Sequence, residues 1–340
     1  MNMFKYFKNG LIKVGEFVFD SLKYFFKGIF LIITALPRFI ILSIQYIFSK
    51  KKRDEIKEKK KNNKKPLVPK ILLLCSLTVY FMCVYVFFRW SVQTLKIESL
   101  NNDIIEFSDL VEEEDNNALA TMTPSDGGTL ETDEGTTYVP SNSSGYSNVS
   151  YLNVDFSNLL EQNSDTVGWI KVEGTKVNYS VVQGDDNDFY LDHDFYKNPN
   201  SAGWIFADWR GSLEKFRRNT VIYGHNMNNK TMFGSLPSTL FSSSWQNNPN
   251  NHFIKLSTPS ANSVWKIFSV YVTEPRVDYL RTVFTDSEYK SFINDIQSRS
   301  VYNFNTDVSV SDYIITLSTC DDTGRKRMVT HAKMIKYQPR

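Results

Sequence analysis

From Ile71 to Phe88 the chain reads ILLLCSLTVYFMCVYVFF, with no charge and no proline. An apolar run of about 18 or more residues is long enough to cross a bilayer as a helix, and no other feature limits the architecture as strongly. It separates a short basic, apolar part from a long polar one. The flank before it, residues 50–70, reads KKKRDEIKEKKKNNKKPLVPK. Lysine-rich flanks stay on the cytoplasmic side. Residues 71–90 are therefore expected to form a transmembrane helix. The chain would be a single-pass protein of the cell membrane, with a cytoplasmic N-terminus and an extracellular C-terminal part. No small-residue cleavage pattern follows, so the reading is a retained anchor and not a removed signal peptide.

Residues 1–49 read as a second kind of membrane-associated segment. Phe4, Phe7, Leu11, Val14, Val18, Leu22 and Phe25 recur at helical spacing with lysines between them, the pattern of a basic amphipathic helix on anionic lipid. Residues 29–48 are apolar enough to cross, but Pro37 and Arg38 sit at their middle. An arginine there costs about 2.5–3.5 kcal/mol, so an in-plane or re-entrant segment is expected in preference to a second span. Residues 91–150 read as a polar stalk. Leu95, Ile97, Leu100, Ile104, Ile105 and Leu110 are spaced as in a short helix. From about Asn116 the stretches PSDGGTLETDEGTT and PSNSSGYSNVS bury too little apolar surface to offset their ordering entropy. A flexible, partly disordered spacer is expected there.

Residues 151–340 read as one compact domain. A chain that is 41% hydrophobic and 14% aromatic can build a core, and 39 basic against 37 acidic side chains give no reason to expect nucleic acid as a partner. Residues 169–172, 176–182, 203–207, 220–223, 264–272, 313–318 and 328–337 are β-branched and aromatic runs. A short helix is expected near 156–162 and a longer one over 286–299, with Tyr289, Phe292, Ile293 and Ile296 on one face. The fold class is mainly β, a sandwich or barrel.

Three cysteines exclude a disulfide-dense scaffold, and only Cys320 lies outside the membrane-associated part. It ends the run YIITLSTC and enters the polar turn DDTGRKR. A lone thiol in an oxidising compartment is unusual, and a strand end holds a nucleophile rigidly while leaving it open. The plain alternative is a partly buried unreactive thiol. A thiolate needs a proton-transfer partner. Of His193, His225, His252 and His331, His225 has the best setting, where the run NTVIYGH breaks into a polar loop. His331 lies about 13 Å beyond Arg327 on the following strand, at 3.3 Å per residue. An antiparallel return would bring Arg325, Lys326 or Arg327 beside Cys320, where a cation stabilises a thiolate and a developing oxyanion. The acidic loop with Asp185, Asp186, Asp188, Asp192 and Asp194 lacks the glycine and terminal glutamate of a calcium loop. No zinc spacing or phosphate loop occurs, so no metal and no cofactor is expected.

TLSTC at 316–320, an arginine opening the next strand and an upstream YGHN together resemble the catalytic set of the sortases, the membrane-anchored cysteine transpeptidases of Gram-positive bacteria. The segments NSDTVGWIKVEGTKVNYSVVQGDDNDFYL, AGWIFADWR, NTVIYGHNM, DYLRTVF and KRMVTHAKMIK are similar to those of class B. The resemblance implies an eight-stranded sortase β-barrel with flanking helices. It makes Cys320 the nucleophile, His225 the acid–base and Arg327 the oxyanion partner, with Arg327 preferred over Arg325 because it keeps the register to the following Ala-Lys pair. It also implies substrate contacts at Asn187, Leu191, Tyr223, Leu280, Ser318 and Thr319. The reaction implied is cleavage of an LPXTG- or NPXTN-like sorting signal after threonine, through a thioester, with transfer to an amine. The implied partners are surface proteins bearing the signal, a lipid-linked peptidoglycan amine and membrane lipid. A cell-wall cysteine peptidase or amidase, a pilin-polymerising sortase and a non-enzymatic anchored adhesin are the alternatives.

Overall fold

A computed structural model describes residues 67–113, 127–132, 135–140, 146, 148–320 and 326–340. For 67–75, 77, 113, 127–132, 135–140 and 320 it describes the backbone alone. The amphipathic segment read over 1–49, and the basic flank up to residue 66, lie outside the described residues.

The uncharged run falls within a helix, α1 (Leu67–Phe107). Among the described residues no helix is long and apolar enough to cross a membrane; side chains of the run up to Cys75, and of Leu77, are outside them. A compact unit begins at Val86 and takes in the rest of the chain. The second half of α1 belongs to it: Ile97 and Ile104 are buried, Ile105 packs on the same core, and Leu95 faces solvent. Gln93 Nε2 donates to Ser201 Oγ at 2.6 Å and Asn229 Nδ2 to Thr94 Oγ1 at 3.1 Å. The apolar spacing over 91–110 is thus a docking face, and this part of the expected stalk is built into the domain. After it, β1 (Val111–Glu113) pairs antiparallel with β4 (Tyr151–Asn153). Between them β2 (Gly127–Thr132) and β3 (Gly135–Pro140) form a hairpin.

Eight further strands close into a barrel. They are β5 (Thr166–Val172), β6 (Asn178–Val182), β7 (Phe206–Ala207), β8 (Asn219–His225), β9 (Phe253–Ser257), β10 (Ala261–Thr273), β11 (Ile314–Cys320) and β12 (Arg327–Pro339). Around the barrel the order is β10-β12-β11-β8-β7-β6-β5-β9, with β8–β11 and β6–β7 parallel and the other neighbours antiparallel. Each of the seven expected β runs overlaps one of these strands, although of 203–207 only Phe206–Ala207 is strand. The eighth, β9, was not expected, because Lys255 interrupts the apolar pattern. Lys255 is buried and held by Glu112 Oε2 at 2.8 Å and Ser150 Oγ at 2.7 Å. A buried ammonium is tolerated when it is paired; Glu173 Oε1 also lies 3.0 Å away, and Glu112 and Ser150 come from far away in the chain.

The main core holds Trp169, Trp204 and Trp265 together with the buried aliphatic side chains of the strands. Short helices α2 (Ser157–Gln162), α3 (Ser235–Leu240) and α4 (Ser243–Gln246) add Leu159, Leu236, Leu240 and Trp245 to this core. Helix α5 (Asp286–Ser298) starts with a capping box between Thr285 and Glu288 and buries Tyr289, Phe292, Ile293 and Ile296, the face expected from its spacing. That face packs on Phe268 and Tyr271 of β10, Ile314 of β11 and Val329 of β12.

Candidate active site

Strand β11 ends at Cys320 in the middle of the sheet, and its two ladders bring His225 and Arg327 to the same level. In the parallel ladder with β8, Cys320 is the cross-strand partner of His225. The antiparallel ladder with β12 keeps one register from Ile314↔Lys333 to Ser318↔Val329. Continued by two residues, it sets Cys320 opposite Arg327. The Met328 N–H donates to Thr319 Oγ1 at 2.9 Å across that step. Neighbouring strands lie about 4.8 Å apart, so the cysteine backbone stands between the two candidate partners on adjacent strands.

His225 is buried, and its Nε2 lies 2.7 Å from the Leu191 carbonyl oxygen. A carbonyl only accepts, so Nε2 carries a proton in this contact. The ring orientation is thereby set by the loop that follows β6. Gly224 is required beside it, because a Cβ there would run into Ile205 and Phe233. Gly203, at φ +56°, lets its backbone close on the carbonyls of Tyr190 and Leu191. The Arg327 guanidinium is half-buried and donates to the Lys326 carbonyl at 3.2 Å. Arg325 lies outside the described residues.

The other histidines are committed elsewhere. His193 stacks on Phe189 with ring centroids 4.1 Å apart. His252 is buried against Trp245 and bonded to the Gln246 carbonyl at 2.9 Å. His331 is fully buried between Tyr271 Oη at 2.9 Å and Thr316 Oγ1 at 2.8 Å. Thr316 donates its hydroxyl proton to Asn219 Oδ1 at 2.5 Å. His331 Nδ1–H must therefore donate to Thr316, and Nε2 accepts from Tyr271. Burial, with the Arg299 charge nearby, pushes this imidazole down to about 3. The unfolded chain, at the ordinary value of about 6.5, then binds more protons than the fold between about pH 6.5 and 3. Stability should fall on acidification through that window by up to about 1.4 kcal/mol per pH unit from this group. Denaturant unfolding of the region from residue 91 at pH 7 and pH 5 measures it. The variant His331→Gln should lower stability at pH 7 and flatten the slope; an unchanged slope would refute the assignment.

The expected substrate contacts are Tyr223 of β8, Ser318 and Thr319 of β11, and Asn187, Leu191 and Leu280 outside the barrel strands. The Leu191 carbonyl holds His225. Asn187 Oδ1 accepts from the Trp209 N–H at 3.1 Å. Tyr223 is buried and donates to Asp208 Oδ2 at 2.8 Å. The Leu280 carbonyl accepts from Arg210 Nη2 at 3.2 Å. Ser318 and Thr319 are buried, with Ser318 Oγ 3.1 Å from Tyr279 Oη. Sequence reasoning passed over Asp208 and Arg210. The only signal available was an acid and a base two residues apart around a tryptophan at the end of a β run.

In the acidic loop the carboxylates cap turns. Asp186 Oδ1 accepts from the N–H groups of Asp188 and Phe189, and Asp194 Oδ1 from those of Tyr196 and Asn198. Among the described residues no group of three or more His, Cys, Asp or Glu could hold a metal ion.

A strand-end cysteine set between an imidazole strand and a guanidinium strand, on a closed mixed barrel, defines a cysteine acyl-transfer site of the sortase type. The Sortase domain family matches residues 170–335. Sortase B of Staphylococcus aureus (strain NCTC 8325 / PS 47) is 37% identical over 190 residues, 55% of this chain and 77% of that protein. A solved Staphylococcus aureus sortase B–substrate complex is 38% identical with a TM-score of 0.50, covering 53% of this chain and 84% of that one. A sortase B structure complexed with triglycine is 37% identical with a TM-score of 0.50, covering 53% and 85%. The chain belongs to the sortase family. Within it the chain falls among the class B proteins, and it is a cysteine transpeptidase that anchors surface proteins.

Proposed function

We propose that Cys320 attacks the threonine carbonyl of an LPXTG- or NPXTN-like sorting signal. The S–C bond forms, Arg327 stabilises the oxyanion, and the C–N bond breaks as His225 gives its proton to the leaving amine. The product is a thioester on Cys320. An incoming amine attacks it, loses a proton to His225, and releases the thiolate with the new amide. The observation that carries this reading is the pairing of Cys320 with His225 in the β8–β11 ladder. The substrate complex and the triglycine complex of the sortase B relatives support a sorting peptide and an amine as the two partners here. The peptidoglycan precursor is the acceptor of this reading, because a lipid-linked amine and a membrane-bound signal would meet at one surface.

The anchor is part of the same proposal. Along α1 the side chains of Val79, Tyr80, Phe81, Met82, Tyr85, Val86 and Phe88 are all exposed. A helix apolar all round needs an apolar surrounding, and lipid supplies it for residues 71–90. Tethering would raise the effective concentration of the membrane-held partners and set the catalytic domain, residues 151–340 with the docked part of α1, outside the cell.

Incubating the region from residue 91 with sorting peptides and triglycine tests the reaction. The expected products are a peptide joined to triglycine and a thioester adduct on Cys320, both read by mass spectrometry. Hydrolysis products alone, at saturating amine, would favour the peptidase or amidase alternative.

A further inference from the structure

The turn that follows β7 holds three separate parts of the candidate groove with three consecutive residues. Asp208 is buried, and its Oδ2 accepts the Tyr223 hydroxyl proton at 2.8 Å. Arg210 forks onto the same carboxylate, Nε to Oδ1 at 2.9 Å and Nη2 to Oδ2 at 2.6 Å. The same Nη2 reaches the Leu280 carbonyl at 3.2 Å. Between them the Trp209 N–H donates to Asn187 Oδ1 at 3.1 Å, while its indole is exposed. The turn is itself fixed: the Asp208 N–H donates to the Val221 carbonyl at 2.9 Å, and Gln183 Nε2 donates to the carbonyls of Asp208 and Gly211.

We propose that Asp208 and Arg210 are positioning residues that hold Asn187, Tyr223 and Leu280 in register and so set recognition of the sorting peptide. This rests on the proposed function, in which those three residues contact the peptide. A bidentate arginine–carboxylate pair fixes geometry as well as energy, and a buried carboxylate stripped of its cation destabilises what it touches. Burial pushes the Asp208 carboxyl up, but hydrogen bonds from Arg210 and Tyr223 outweigh it and hold the group below its ordinary value. The Tyr223 hydroxyl is thereby directed to Asp208, so the tyrosine meets the peptide through its ring. Asp208 and Arg210 act on the residues of the groove, so their loss should weaken peptide capture and leave the chemical steps nearly intact.

The test is steady-state acylation and transfer by the full chain in detergent, with each variant checked by thermal melting. Arg210→Ala should raise KM about ten-fold or more with kcat within about three-fold, the pattern of lost uniform binding. Arg210→Lys should recover little of this, because an ammonium cannot form the fork. Tyr223→Phe should raise KM alone and add nothing on top of Arg210→Ala, since both act through Asp208. If Arg210→Ala does not fold, Arg210→Lys and the near-isosteric Tyr223→Phe carry the test. An unchanged KM in the arginine variants, or full additivity with Tyr223→Phe, would overturn the inference while adducts on Cys320 in the unaltered protein keep the proposed function standing. Failure of the unaltered protein to form any adduct with LPXTG or NPXTN peptides would overturn both.

Discussion

Cys320→Ala is expected to abolish turnover of sorting peptides, with a loss of about 10⁴-fold or more, because no acyl-enzyme can form without the sulfur. His225→Ala should lose about 10²–10⁴-fold, the ordinary worth of a positioned acid–base group. The double variant should be no worse than Cys320→Ala, since groups that act as one unit are not additive. His225 also ties down the loop carrying Leu191 through its Nε2–H. His225→Gln therefore separates two roles: an amide can still donate to that carbonyl but cannot shuttle a proton at neutral pH. Peptide binding should survive in His225→Gln while acylation does not. Cleavage rates and mass spectra of Cys320 adducts give the answer. Retention of more than about one-hundredth of the rate in Cys320→Ala would remove the thiol from the reaction, because a true nucleophile leaves far less behind.

The strands around this site were legible because their side chains suit a buried pleated sheet whatever their partners. Residues 314–320 and 219–225 show the β-branched and aromatic runs that such strands need. Register was not legible. A one-residue slip between β8 and β11 would keep each strand's composition and lose the pairing of Cys320 with His225. The choice of His225 over His331 shows the same limit. Alternation placed His331 four residues from Arg327, but its burial against Tyr271 and Thr316 comes from α5 and β10 covering it, which no local pattern reveals. Lys255 hid β9 for that reason too, its partners Glu112 and Ser150 lying more than 100 residues away in sequence. The resemblance to sortases supplied what periodicity could not, the grouping of three distant residues. It passed over Asp208 and Arg210, whose work is done on Asn187, Tyr223 and Leu280 and not on the reacting atoms.

The stalk shows how far composition alone can be trusted. Its Ser, Thr, Gly and Asn content reads as a spacer, and the part before it as a short helix. The apolar stripe of that helix is a docking face, with Ile97 and Ile104 buried in a core shared with the strands. Gln93 and Thr94 bond to Ser201 and Asn229, and Asn229 stands in the loop that leaves His225. The second half of α1 is thus tied to the loop next to His225.

Arg327→Ala should lose about 10²-fold or more in kcat/KM, comparable to deleting one donor of an oxyanion site. The argument is one of register. The β11–β12 ladder runs without a break to Ser318↔Val329, and two further residues bring Arg327 level with Cys320. A guanidinium there has a rigid fork of donors for the oxygen that becomes negative when the thiolate adds to the carbonyl. Arg327→Lys keeps the charge and loses the fork, so it should recover only part of the rate. A comparison of two reactions at the same sulfur isolates the role. Alkylation by iodoacetamide develops no oxyanion and should be slowed far less than acylation by a sorting peptide. Equal slowing of both would mean that Arg327 acts on the thiolate and not on the oxyanion. Near-normal acylation in Arg327→Ala, with the loss appearing instead in Arg325→Ala, would transfer the oxyanion role to Arg325.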